Sequence, residues 1–277
     1  MTKYSDFIEE IILGIVDEFG NLFVAKIEQT NEEDSDNDKP LQTELVLQIN
    51  NSETNPKEGG ETHRIFWCPF LPEEENTDDS SSKLLLLTHG SSAEIWNVDL
   101  VIKDLDSNII DSNDVPEAGK LVVNDHGDTI MDASFSPDGT ALATASADGQ
   151  VKFFQVYMKG SESPRRLHQW KPHDGQPVSC LFFLDNHRDH NPDQQIWKYA
   201  LTGCCQNNEL KLWSCENWTC LQTVAFNAND GKRVALQAVM DITAQYLLLS
   251  DINRKNVYVL QVIFWIFPDF RFLKLIL

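Results

Sequence analysis

The sequence predicts an all-β fold, an incomplete β-propeller in which about four to five blades are recognisable. Three observations carry this expectation. The stretch His126–Phe154 (HGDTIMDASFSPDGTALATASADGQVKFF) alternates strand-forming and turn-forming segments. Its hairpin pattern recurs, in order, elsewhere in the chain. The remaining length gathers in polar inserts between the copies.

Within that stretch, Ile130–Phe135 is apolar enough for a strand. Ser136-Pro137-Asp138-Gly139 is turn chemistry: proline fixes φ, aspartate caps its own backbone and glycine tolerates positive φ. Thr140–Ser146 is a strand of small residues, suited to a crowded centre. Asp148-Gly149 signals a tight hairpin. Gln150–Tyr157, rich in Val, Phe and Tyr, is a third strand. Three strands joined by two tight turns make a β-meander, the core of a propeller blade.

A propeller must repeat. Leu142–Phe154 overlays without gaps on Leu201–Trp213, which sets Asp148 on Asn207, Lys152 on Lys211 and Phe154 on Trp213. It overlays likewise on Leu84–Trp96, with Trp96 on Phe154. A weaker copy is Leu13–Ala25, where Gly20 falls on Gly149, and a looser one is Tyr246–Leu260. Spacing between copies runs from about 46 to about 71 residues, against roughly 40–45 for a plain repeat of this kind. The excess is assigned to solvated loops at Glu28–Asp38, Asn50–Glu61, Glu73–Ser82, Asp104–Glu117 and Asp185–Gln195.

The chain has 277 residues, 42% of them hydrophobic, enough for a sizeable core. Its 43 acidic and 22 basic residues leave a formal charge of −21, which opposes a phosphate backbone and argues against direct nucleic-acid binding. The short basic clusters, Arg165-Arg166 and Arg254-Lys255, are thin. Met1–Glu10 is polar and mixed in charge, unlike a signal peptide. The apolar run Val257–Phe267 is too short to span a bilayer, which takes about 20 residues. The expected division is therefore a partial propeller over 1–262 and an apolar tail, 263–277, outside the fold.

The six cysteines read as small buried residues of a reducing compartment. Cys204 and Cys205, adjacent on one strand, should point to opposite faces and make a poor disulfide. No CxxC or Cys/His quartet has zinc spacing, and His187 and His190 stand in a polar insert without a partner cysteine, so no metal site is expected. The sequence contains no G-x-S-x-G, P-loop, G-x-G-x-x-G or H-E-x-x-H motif. No catalytic residue and no cofactor are expected. Trp67, Trp170, Trp197 and Trp218 are expected to pack between blades or on strand faces, a minority being available to line a peptide groove.

The His126–Phe154 stretch resembles a WD40 repeat. In many such repeats a His, a Ser or Thr, an Asp and a Trp form a buried hydrogen-bonded set. The resemblance puts His126, Thr144, Asp148 and Phe154 in these positions, and Phe154 has no N–H with which to close the set. In the next copy His173 and Trp213 are in place, but the overlay sets Gly203 and Asn207 where Thr and Asp should stand. Trp96 holds the Trp position of an earlier copy. These are structural positions.

Longer phrases point further. Leu167–Asn186 (LHQWKPHDGQPVSCLFFLDN), Trp197–Val224, Arg64–Pro69 (RIFWCP), Asp17–Val24 and Tyr246–Asp251 resemble, in order, the enhancer of mRNA-decapping protein 4 family over roughly residues 13–262. The resemblance implies a non-enzymatic cytoplasmic scaffold of processing bodies that brings the decapping enzyme and its activator together, its propeller docking other proteins or peptides. In that family a Ser-rich linker and a helical region follow the propeller. Two other readings are weighed beside it: a WD40 adaptor of another complex, such as a ubiquitin-ligase substrate receptor, and a hydrolase on a propeller scaffold. The chain is expected to start inside a blade, at the strand just before Asp17, and to end after the Tyr246 copy, as a truncated gene model with intron read-through at the end would. A fragment so cut exposes sheet faces at both ends, and aggregation or marginal stability is expected; a monomer that melts cooperatively would contradict this.

Overall fold

The computed structural model describes residues 11–29, 41–51, 62–69, 83–104, 108–115, 119–156, 164–185, 197–226, 235–241, 243–251, 256–264 and 271–276. They form five four-stranded sheets. The first contains β1 (Ile11–Val16), β2 (Leu22–Gln29), β3 (Leu41–Asn50) and β7 (Ile109–Asp111). The second contains β4 (His63–Trp67), β5 (Leu84–His89), β6 (Ser92–Asn97) and β8 (Lys120–Val123). The third contains β9 (Ile130–Phe135), β10 (Ala141–Ser146), β11 (Val151–Gln155) and β12 (Arg166–Trp170). The fourth contains β13 (Val178–Phe183), β14 (Tyr199–Cys204), β15 (Glu209–Ser214) and β16 (Thr219–Ala225). The fifth contains β17 (Leu236–Met240), β18 (Tyr246–Asp251), β19 (Val257–Phe264) and β20 (Arg271–Ile276). Each of the five repeated hairpins lies within its own sheet, as β1–β2, β5–β6, β10–β11, β14–β15 and β18–β19.

Two expectations need correction. The insert 104–117 is not all loop. Its Ile109–Asp111 pairs parallel with β3, and Ile110 is buried, so the open edge of the first sheet is capped from a later part of the chain. The only helix among the described residues, α1 (Val98–Asp104), precedes it and is started by Asn97, whose Oδ1 accepts the Leu100 N–H. The tail read as lying outside the fold supplies β20, whose backbone pairs with β19 from Val259↔Ile276 to Phe264↔Arg271. An unpaired β19 edge would leave a row of backbone donors and acceptors without partners.

The ungapped overlay of the hairpins also slips. Thr144 pairs with Lys152 in the third sheet, whereas Lys211 pairs with Thr202 in the fourth and Glu94 with Leu87 in the second. Their turns differ in length by one residue each way. A slip of one residue turns every side chain of a strand to the other face. Hence Leu142 packs toward the second sheet, whereas Leu201, its overlaid counterpart, packs toward the fifth.

Four apolar clusters fill the gaps between consecutive sheets. Leu22, Val24, Leu47 and Ile49 meet Leu85, Leu87 and Trp96. Leu84, Leu86 and Ile95 meet Ile130, Phe135, Leu142 and Phe154. Ala143, Val151 and Phe153 meet Val178, Leu181 and Phe183. Leu201, Leu210 and Leu212 meet Leu236, Leu247, Leu249 and Leu260. Alternation along each strand directs one row to each neighbour, which is how inner blades of a propeller bury both faces. Among the described residues no cluster joins the fifth sheet to the first. The outward rows there are apolar but open: Leu13 is 45% exposed and Ile15 46%, and across the arc Val239 is 59% exposed and Leu248 41%.

Turns lock each sheet to the next. Gly90 carbonyl, in the β5–β6 turn, accepts the N–H of Ile130 at the start of β9, at 2.8 Å. Gln206 carbonyl, in the β14–β15 turn, accepts the N–H of Leu236 at the start of β17, at 2.9 Å. In the β10–β11 turn Gly149 has φ +79°, and a Cβ there would stand 2.5 Å from the Gly175 carbonyl oxygen, so the approach of the fourth sheet demands glycine twice over.

Candidate functional site

The polar chemistry of the chain concentrates in the third and fourth sheets. His126 lies before β9, with Nε2 2.8 Å from Thr144 Oγ1 and Nδ1 3.0 Å from Asp148 Oδ2. Asp148 also accepts the backbone N–H groups of Gly127 (3.0 Å) and Gln150 (2.9 Å). The Lys152 ammonium donates to the carbonyl of Asp125, the residue before the histidine. His126, Thr144, Asp148 and Phe154 thus come together, and Phe154 contributes only apolar surface to the cluster facing the second sheet.

The fourth sheet closes a fuller set, though not with the residues the overlay marks. His173 Nε2 lies 2.9 Å from Thr202 Oγ1, and its Nδ1 lies 3.0 Å from Glu209 Oε1. Trp213 Nε1–H donates to the same Thr202 oxygen at 2.9 Å. Because the ionised Glu209 carboxylate can only accept, Nδ1 carries the imidazole proton and donates to it, which leaves Nε2 of the neutral ring to accept the threonine hydroxyl. Lys211 Nζ donates to the Pro172 carbonyl at 3.2 Å, as Lys152 does to Asp125. Gly203 and Asn207 do other work: a Cβ on Gly203 would meet Cys180 Sγ at 2.6 Å, and Asn207 amide donates to the Leu236 carbonyl of the fifth sheet at 2.8 Å. Trp213, which needs an acceptor when buried, was the signal that could have exposed the slipped register.

Trp96 has no such acceptor. The position facing Glu94 holds Leu87, and among the described residues the buried indole N–H of Trp96 is unpartnered; Lys120 Nζ sits 5.2 Å from its ring.

Electrostatics follow the burial. Desolvation holds His126 and His173 below the ordinary histidine range, against the pull of Asp148 and Glu209. Burial opposes ionisation of Asp148, but the hydrogen bonds from His126, Gln150 and Gly127 leave its carboxyl below the usual range. The bond from His173 likewise holds Glu209 low. Asp132 is different. It is buried on β9 and accepts the N–H of Leu181 at 2.7 Å, which ties the third sheet to the fourth. Burial pushes its carboxyl up to about 7 despite that bond and the one from Ala133.

Aromatic residues pack between the same two sheets. Phe153 stacks on Trp170 at 5.5 Å and on Trp197 at 5.6 Å, and Trp218 meets it edge-on at 5.1 Å. Trp218, with φ +57°, lies flat on His168 at 3.7 Å. Trp67 packs in the cluster between the first and second sheets. His187 and His190 lie outside the described residues. A set of potential metal ligands is nonetheless present: His173, Cys204 and Glu209 bring ligand atoms within 4.8 Å of one another.

Comparison with known proteins bears on the whole array. The family model described as the WD40 region of Ge1, enhancer of mRNA-decapping protein, matches residues 3–264. The zebrafish (Danio rerio) enhancer of mRNA-decapping protein 4 is 40% identical over 261 residues, 92% of this chain. The human protein of that name is 41% identical over 256 residues, 91% of the chain, and the Drosophila melanogaster homolog 33% over 260, also 91%. The chain spans 18% of the length of each of these relatives. Among solved structures, the WD40 domain of Toxoplasma gondii coronin aligns with 90% of this chain and 52% of its own, at 12% identity and a TM-score of 0.55. A chain of Chaetomium thermophilum polycomb repressive complex 2 aligns with 98% of this chain and 49% of its own, at 13% identity and a TM-score of 0.60. These structural likenesses concern the fold alone. With five sheets in the order its repeats dictate and a family match over nearly all of them, the chain belongs to the WD40-region family of the enhancers of mRNA decapping.

Proposed function

We propose that this region is a non-catalytic docking domain of a cytoplasmic mRNA-decapping scaffold that works in processing bodies. The observation that supports the reading is similarity to decapping enhancers sustained over 92% and 91% of the chain. The chemistry agrees with it. His126 and His173 are each engaged on one side by a strand hydroxyl and on the other by a carboxylate, Asp148 or Glu209, which fits groups that hold the blades rather than attack a substrate. The reading assigns the domain no direct contact with nucleic acid, consistent with its charge of −21.

The mechanism is proximity. A scaffold that holds the decapping enzyme and its activator on one chain raises their effective concentration and promotes 5′-cap removal without chemistry of its own. The test uses the full-length scaffold, with or without this region, recovered from cytoplasmic extract. Deletion is expected to lower co-recovery of the enzyme or the activator and to slow decay of a capped reporter. Unchanged recovery together with unchanged decay would sink the proposal. Recovery of ubiquitin-ligase subunits in place of decapping factors would favour the adaptor reading.

A further inference from the structure

The end of the fourth sheet carries a donor set that the hydrogen-bonded lock does not use up. On an extended strand Cys204 and Cys205 would face apart. Cys205 instead leaves the strand with φ +52°, and the two sulfurs come to 3.6 Å. Cys204 Sγ stands 3.8 Å from Glu209 Oε1, and His173 Nδ1 stands 3.0 Å from that same oxygen. Zinc bonds of about 2.0 to 2.3 Å in a tetrahedron place ligand atoms about 3.3 to 3.8 Å apart. The two separations to Glu209 lie close to that frame, and all three ligand atoms lie within 4.8 Å of one another, so His173 and Cys204 must draw together by up to about 1 Å to complete it.

The third sheet shows that Cys204, unlike His173 and Glu209, is not part of the lock itself. Aligned by their paired strands, Cys204 and Glu209 of the fourth sheet correspond to Ser146 and Gln150 of the third. The third sheet holds its histidine with Asp148 from the turn and places neither a thiol nor a second carboxylate there. The Thr202 hydroxyl is engaged by His173 and by Trp213, and Cys204 reaches the lock only through its contact with Glu209.

We infer that His173 Nδ1, Cys204 Sγ and a Glu209 carboxylate oxygen form a binding site for a zinc-class divalent cation, open at its fourth position toward Cys205. One imidazole, one thiolate and one carboxylate select a borderline ion over magnesium or calcium, which take oxygen ligands. On binding, the Cys204 thiol forms the S–metal bond and gives its proton to solvent. The imidazole proton moves from Nδ1 to Nε2, where it is donated to Thr202 Oγ1. That oxygen has two lone pairs, one already used by Trp213 Nε1–H, so it accepts both N–H groups while its own proton rotates away. Lys211 Nζ, 3.6 Å from Glu209 Oε1, keeps its bond to the Pro172 carbonyl and yields the carboxylate to the metal. Because binding releases the thiol proton, uptake weakens as the medium is acidified.

The test is titration of zinc sulfate into the reduced, EDTA-stripped chain against a chromophoric chelator, with cobalt(II) as a spectroscopic substitute. One zinc per chain, a rise in Tm and a sulfur-to-cobalt charge-transfer band are expected. Cys204→Ala should weaken binding by more than about 100-fold, beyond the usual effect of losing an outer partner, and abolish the band. Its metal-free Tm should stay near that of the parent. Trp213→Phe, which damages only the lock, should lower Tm yet keep the zinc and the band. Should Cys204→Ala fail to fold, Glu209→Gln decides, because its amide oxygen still accepts from His173 but ligates poorly. Substoichiometric zinc, or zinc held as tightly by either variant as by the parent, overturns the inference.

Discussion

The third and fourth sheets build one lock from different parts. In both, an imidazole bridges a strand hydroxyl and a carboxylate, and a strand lysine ties down the carbonyl before the histidine. The third sheet takes its carboxylate from the turn, as Asp148; the fourth takes it from the strand, as Glu209. The fourth sheet's turn is one residue longer between paired positions, and the longer glutamate arm starts from β15 rather than from that turn. The position two residues after the strand lysine is Phe154 in the third sheet and Trp213 in the fourth, so only the fourth gives its hydroxyl an extra donor. Position in space is maintained while residue type and register drift.

Removing the hydroxyls should break this comparison most sharply. Thr202→Val orphans both His173 Nε2 and Trp213 Nε1, and we expect it to destabilise by about 2–4 kcal/mol. Thr144→Val orphans only the His126 nitrogen, and about 1–2 kcal/mol is expected. Urea midpoints measure both; equal losses would mean that the tryptophan bond adds nothing. Trp213→Phe imitates the third sheet. It leaves no buried donor stranded, so a loss of about 1 kcal/mol is expected, and a loss as large as that of Thr202→Val would contradict the hierarchy.

Acidity sharpens the comparison further. Both imidazoles are held below the ordinary value of 6.5, so as pH falls the unfolded chain takes up protons first. Their contribution is complete above 6.5 and is lost as pH drops below it. Asp148 and Glu209, held below 3.8 and 4.5, extend the loss at lower pH. Asp132 has the opposite sign. Raised to about 7 from 3.8, it contributes fully below 3.8 and loses that contribution as pH rises through 7. The smallest expected effect is therefore a change of slope: Asp132→Asn should flatten the fall in urea midpoint between pH 5 and pH 8. An unchanged slope would show that the carboxyl titrates normally in the folded chain.

Much of the fold was legible because hairpins are local. Asp148-Gly149 and the small residues of β10 fix their own turn, and β9 lies at Ile130–Phe135 as read. The misses have physical causes. β7 pairs with a strand far back in sequence, and three residues in an acidic insert carry no local signal for a distant parallel edge. The β20 pairing was hidden by Arg271 and Lys274, which interrupt the apolar pattern. The lock of the fourth sheet was half visible. His173 and Trp213 were identified, but Thr202 stands beside Gly203, and an ungapped overlay cannot reveal one added turn residue. Cys204 and Cys205 were read as opposite-facing because their break in backbone hand, at φ +52°, leaves no mark in two identical letters.

The turn-to-strand bonds carry a consequence for how the chain fails. Gly90 completes its hydrogen bond only when β9 is present, and Gln206 only when β17 is. Coupling through these bonds passes from the second sheet to the third and from the fourth to the fifth, as along a row of linked beads. Damage at Gly149 should weaken the joint between the third bead and the fourth, leaving it to the Asp132–Leu181 bond and the Phe153 cluster, and spare the Gly90 and Gln206 links. Melting then divides the array into two halves that come apart at different temperatures, each obeying its own joint.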